Sequence, residues 1–143
     1  KSKDPNFKKS PEDDLISMKT GLLGFKGQVH YSFTPCINNE LDNIPEDLDK
    51  FLAISRVCTI IDHCIHANYK IFKTNYMAHD ILFDNKKFAD KYTPEELDGF
   101  KKYLSDQIDK TDIPLQEFDR YYMYSKMLQM YSNPLTNQLD ALG

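Results

Sequence analysis

The chain has 143 residues, 41% of them hydrophobic, and a formal net charge of −4. That balance suits one folded domain or a piece of one rather than a disordered tail. It excludes a general nucleic-acid binder, which needs a basic stripe to displace phosphate counterions. Lys1, Lys3, Lys8 and Lys9 form a small basic cluster, expected to be a solvated end, with contact to an anionic lipid head group or phosphate as the sharper alternative. Three cysteines, Cys36, Cys58 and Cys64, are an odd number for a disulfide framework, so a reducing cytosol is the expected setting. No apolar run approaches the roughly 18 residues that cross a bilayer. The chain opens on Lys1 and not Met, which fits a piece cut from a longer protein.

Ser10-Pro11-Glu12-Asp13 predicts a helix start, because Ser10 can cap free N–H groups, Pro11 fits the first turn and the acids complement the helix dipole. The helix carries Leu15, Ile16 and Met18 and should stop at Gly21. Gly24 and Gly27 flank a turn. Val29, Tyr31 and Phe33 then alternate with Gln28, His30 and Ser32, the period of a half-buried strand ending at Thr34-Pro35. One strand needs a partner, expected in a sheet that lies upstream. From Pro45 to about Ala67 apolar residues recur at helical steps, on a face wide enough to be covered on more than one side. Residues 68–73 form an irregular link. Asn75 is expected to cap a short helix through Leu82. Thr93-Pro94-Glu95-Glu96 is a capping box opening a helix with the stripe Leu97, Phe100, Leu104 and Ile108. Asp112-Ile113-Pro114 opens another, rich in Tyr and Met from Tyr121 to Tyr131. Asn133-Pro134 should end it and start a short last helix through Leu139.

Two spacings carry chemistry in principle. His79 and Asp84 are separated by four residues, the spacing of a base and its orienting acid in acyl transfer to a hydroxyl. The simpler reading is a short helix end with surface acids. Cys58, Asp62 and His66 share a helix face, with His63 nearby, and zinc accepts all three residue types. A structural site needs four ligands, so packing for Cys58 and a hydrogen-bonded Asp62–His66 pair is the simpler expectation. No nucleophile elbow or glycine-rich phosphate loop is present. These spacings assign no catalytic, cofactor-binding or metal residue in this chain.

Several segments together resemble a known family. They are Asp4-Pro5-Asn6-Phe7-Lys8-Lys9-Ser10-Pro11, Met18-Lys19-Thr20-Gly21 and Gly24-Phe25-Lys26-Gly27-Gln28-Val29-His30. Further on come Ile60-Ile61-Asp62, Ile65-His66, Asn68-Tyr69, Asn75-Tyr76, Ala78 and Asp80, then Met130-Tyr131-Ser132-Asn133-Pro134-Leu135 with Asn137 and Leu139. This set resembles the C-terminal portion of bacterial 1-acylglycerol-3-phosphate and glycerol-3-phosphate acyltransferases. Three departures stand out. Thr34 replaces a usual Gly, Lys73-Thr74 replaces Pro-Gly, and His79 replaces Tyr, so the His79/Asp84 spacing is not the family's catalytic pair.

The resemblance implies a mainly α fold with a small β component, its helices packed on the edge strand of an α/β acyltransferase sheet. Residues 1–40 would give a short helix and the terminal strand, and residues 41–143 a helical region. The catalytic His-x4-Asp centre would precede Lys1. The intact enzyme would move a fatty acyl group from acyl-CoA or acyl carrier protein to a glycerolipid-type hydroxyl in phospholipid biosynthesis, with no other cofactor. The Tyr- and Met-rich helix would line an acyl tunnel or touch the membrane. Implied partners are the upstream catalytic region of the same polypeptide, the inner-membrane surface as a peripheral cytoplasmic protein, and a second copy paired through the strand edge. The competing expectation is a stand-alone helical interaction module.

Overall fold

A computed structural model describes residues 8, 10–24, 27–111 and 114–143. Most of the basic cluster at Lys1, Lys3 and Lys9, the Asp4–Phe7 segment, Phe25-Lys26 and the expected helix start at Asp112-Ile113 lie outside the described residues. The chain divides into two units, residues 1–31 and 32–143. The division falls inside the stretch expected to form the strand.

In the first unit, α1 (Pro11–Leu23) begins as its sequence predicts. The Asp13 N–H donates to Ser10 Oγ at 3.1 Å, and the Ser10 N–H donates to Asp13 Oδ2 at 2.9 Å. Two orphan donors of the first turn are thereby satisfied. The helix runs past Gly21 to Gly24, whose N–H bonds Thr20 O at 2.9 Å. A Cβ on Gly24 would lie 2.6 Å from that carbonyl oxygen, so this close approach requires glycine. Gly27 takes a left-handed φ of 66°, and the turn expected between Gly24 and Gly27 passes through Phe25-Lys26, outside the described residues.

The strand expected at Val29–Phe33 does not form, and the described residues contain no strand at all. Val29, Tyr31 and Phe33 stand exposed. Alternation creates an apolar edge, but a strand exists only when a second backbone completes its ladder, and no such backbone occurs among the described residues. Among the described residues the fold is mainly α, without the small β component.

The elements among the described residues of the second unit are α2 (Asn38–Asp42), α3 (Lys50–Ala67), α4 (Lys73–Leu82), α5 (Pro94–Asp109) and α6 (Glu117–Leu142), with a 3-10 turn at Ala89–Lys91. The Asp49 side chain accepts the Phe51 N–H at 2.9 Å and starts α3 later than the expected Pro45. Thr93 and Glu96 close the predicted box at the head of α5. Helix α6 serves as common partner, because α3, α4 and α5 all pack against it. Met77 and Ala78 of α4, Phe100 and Leu104 of α5 and Leu128 of α6 make the core, flanked by Leu97, Tyr124, Met127 and Tyr131. Burial of this kind supplies most of the stability of such helices.

Two expectations fail here. Helix α6 does not end at Asn133-Pro134 but continues to Leu142 with Pro134 inside it. Pro134 has no N–H to give the carbonyl of Met130, a local cost. The packing of Ser132 and Leu135, both buried, holds the two halves in one helix. The wide apolar face of α3 is covered only in part: the helix packs on α6, yet it has no fully buried residue and Phe51 is 81% exposed.

Candidate functional site

The most buried polar stretch lies on α4, where Asn75, His79 and Asp80 join Met77 and Ala78 in the interior. Asn75 sits in the first turn rather than at the cap. Its Oδ1 accepts the Phe72 N–H at 2.7 Å, and its Nδ2 donates to the Tyr131 carbonyl of α6 at 2.8 Å. One amide thus caps α4 from within and pins it to α6, leaving no buried polar atom of its own unpaired. Lower down, Gln138 donates to the carbonyls of Ala67 and Tyr69, and Asn137 Nδ2 lies 3.3 Å from His66 Nε2. These contacts tie the end of α3 to the end of α6.

Asp80 organises the segment after α4. Its carboxylate accepts the Phe88 N–H at 3.0 Å through Oδ2 and the Tyr92 hydroxyl at 2.8 Å. Its own carbonyl accepts the Asn85 N–H at 3.0 Å, while Asp84 N–H reaches Ile81 O at 3.4 Å. Asp84 has φ 46°, so this is a Schellman stop with aspartate in the place glycine usually takes. Burial and the bond to Asp80 together push the Tyr92 hydroxyl up to about 12. The His79 ring lies between those of Phe83 and Phe88, with centroids 4.6 and 5.1 Å away. His79 Nδ1 is buried without a hydrogen-bond partner among the described residues; Asp80 Oδ1, at 3.7 Å, is too far to be one.

Beside this latch is an open cleft of about 440 Å³. Asp80 and Tyr92 lie at its polar side, Ile81, Ala89, Pro94 and Leu97 supply apolar wall, and Asp84, Lys86 and Lys101 bring charge. The volume is in the range of small-molecule sites, about 300–1,000 Å³. Lys86 and Lys101 have no ion-pair partner among the described residues. The pairs present join Lys73 with Glu96, Lys91 with Asp90, Arg120 with Asp109, and His79 with Asp80 at the longer separation given above.

The two spacings singled out in the sequence assemble differently. His79 faces Asp80 and two phenyl rings, while Asp84 serves as the helix stop, so the pair is not built as a base and its orienter. Cys58, Asp62 and His63 are exposed on α3, and His66 turns instead to Asn137 and to the Tyr69 ring at 5.5 Å. The expected Asp62–His66 pair does not form, and no group of three metal-ligating side chains occurs among the described residues. Tyr124 and Met127 are drawn into the core, whereas Phe118, Tyr121, Tyr122 and Met130 remain exposed. No helix among the described residues is long and apolar enough to cross a membrane.

Sequence reasoning missed Asp80 as the organiser and Lys86, Tyr92 and Lys101 as cleft residues. An acid followed by an aromatic hydroxyl twelve positions later carries no local signal; only the chain reversal after α4 brings them together. Comparison with family models, with curated proteins and with solved structures finds no match to this chain.

Proposed function

We propose that this chain is the helical, non-catalytic C-terminal part of a bacterial acyltransferase that moves a fatty acyl group from acyl-CoA or acyl carrier protein to a glycerolipid-type hydroxyl. The observation that carries the reading is the Asn75–Tyr131 hydrogen bond. Two of the family-like segments, Asn75-Tyr76 with Ala78 and Asp80, and Met130 to Leu135, are far apart in the chain yet meet through it. Such a joint is what two segments serving one packing task would make. On this reading the upstream region of the same polypeptide supplies the base, and it covers apolar side chains that stand exposed here, Phe51 and Ile54 of α3 among them.

Two measurements test the proposal. An antibody raised against residues 94–109 should detect, in the source cells, a product longer than this chain. The longer product should release CoA from palmitoyl-CoA in the presence of glycerol 3-phosphate or its acylated form, and this chain alone should release none above the blank. A native product no longer than these 143 residues would favour the stand-alone interaction module. Thioester turnover by the chain alone would remove the non-catalytic assignment.

A further inference from the structure

We infer that residues 28–34 pair with the same segment of a second copy of this chain, forming a two-stranded antiparallel ribbon. The inference rests on the segment's own chemistry and not on the acyltransferase reading. Gln28-Val29-His30-Tyr31-Ser32-Phe33-Thr34 contains no Gly, no Pro and none of Asp, Glu, Lys or Arg. Its Val, Tyr, Phe and Thr favour an extended, pleated backbone. Residues 27–36 are all exposed, and none of their backbone groups is hydrogen-bonded among the described residues. Phe33 is 94% and Tyr31 80% exposed. Gly27, with its left-handed φ, and Pro35, with no N–H to give, bound the segment. An uncharged run of free N–H and C=O groups between alternating apolar side chains is the template on which another strand pairs.

The segment is complementary to itself. Paired antiparallel about Tyr31, Val29 falls opposite Phe33 of the second copy, and Tyr31 falls opposite its own equivalent. One face of the ribbon then carries aromatic–β-branched and aromatic–aromatic pairs, which stabilise sheets. On the other face Gln28 meets Thr34 and His30 meets Ser32, so no like charges stand opposed. A parallel pair would set His30 against His30 and is slightly less stable per residue. Bulk favours the antiparallel arrangement as well. Paired strands lie about 4.8 Å apart, whereas one helix is about 10–12 Å across. Helix α2 begins at Asn38, soon after the segment ends. A parallel pair would therefore crowd two helical units at one end, and an antiparallel pair sends them to opposite ends. A third strand would bring another helical unit to an occupied end about 10 Å from the first, so pairing closes at two copies.

A ribbon this short is marginal by itself, so the dimer is weak. Its test is sedimentation of the whole chain at rising concentration up to about 1 mM, where a contact worth about 4 kcal/mol is half formed. A monomer–dimer equilibrium is expected. Tyr31→Lys sets two lysines face to face at the centre and should weaken the dimer at least tenfold, while Tyr31→Val should keep it. Register has its own check. Val29→Lys/Phe33→Glu sets opposite charges across the ribbon and should still dimerise, whereas Val29→Lys/Phe33→Lys should not. Phe51→Ser, on the exposed face of α3, should leave the dimer unchanged. All these positions are exposed, so folding should persist, and an unchanged circular dichroism spectrum verifies it. The inference is overturned by a monomer at every concentration, by undiminished dimer in Tyr31→Lys, by loss of the dimer in Phe51→Ser, or by growth beyond two copies.

Discussion

Asp80 concentrates the residue-level energetics. Its buried carboxylate accepts from a backbone N–H and from a tyrosine hydroxyl. Asp80→Ala would leave both donors unmatched in the interior, and we expect a loss of about 2–4 kcal/mol in urea unfolding. Tyr92 and Tyr131 both ionise late, each pushed up to about 12, chiefly by burial and then by hydrogen bonds to Asp80 and to the Tyr103 hydroxyl. In the unfolded chain a tyrosine loses its proton near pH 10. Between about pH 10 and 12 the native state therefore holds more protons than the unfolded state, and stability falls as pH rises. The stabilisation is complete below pH 10. Ultraviolet titration should show a late-ionising tyrosine fraction, and Tyr92→Phe should reduce it. The same contact predicts that the Phe88 amide, although outside any helix, exchanges with solvent as slowly as the helical amides of α4. Fast exchange there would show that the Asp80 bond is not kept in solution.

At the scale of elements, the sequence was most informative where one turn of chain decides the outcome. Ser10-Pro11 and Thr93-Pro94-Glu95-Glu96 carry their own caps, and both helices start where those residues place them. Thr93→Ala should cost about 1 kcal/mol, measured by thermal or urea unfolding. The stripe Phe100, Leu104 and Ile108 was equally legible, because helical spacing alone puts it on one face, and all three are buried. What was not legible depends on distant partners. Pro134 looked like a terminus, yet the buried residues on either side keep α6 in one piece. Asn75 looked like a cap and is a first-turn residue whose other hand reaches α6. Asp84 looked like a surface acid at a short helix end, and it is one, but its role as the helix stop in a backbone region that favours glycine was not visible. Asp84→Gly should accordingly raise stability by about 1 kcal/mol, again in urea unfolding.

For the whole molecule, helix content could be read from periodicity, whereas the strand could not be judged without its partner. The wide apolar face of α3 was visible in the sequence, but whether anything covers it was not. Because Phe51 is 81% exposed, Phe51→Ser should change the unfolding free energy of this chain by less than about 0.5 kcal/mol. In the longer enzyme proposed above, the same substitution should lower acyl transfer or yield. The order of the helices has a further consequence during synthesis. The segment that α3, α4 and α5 all lean on leaves the ribosome after all three of them, at about 5–20 residues per second. Until then those helices emerge with their apolar stripes uncovered. A premature stop codon before Leu128 would leave three helices with no common support, and the expected product is an insoluble or rapidly degraded chain rather than a shorter folded one.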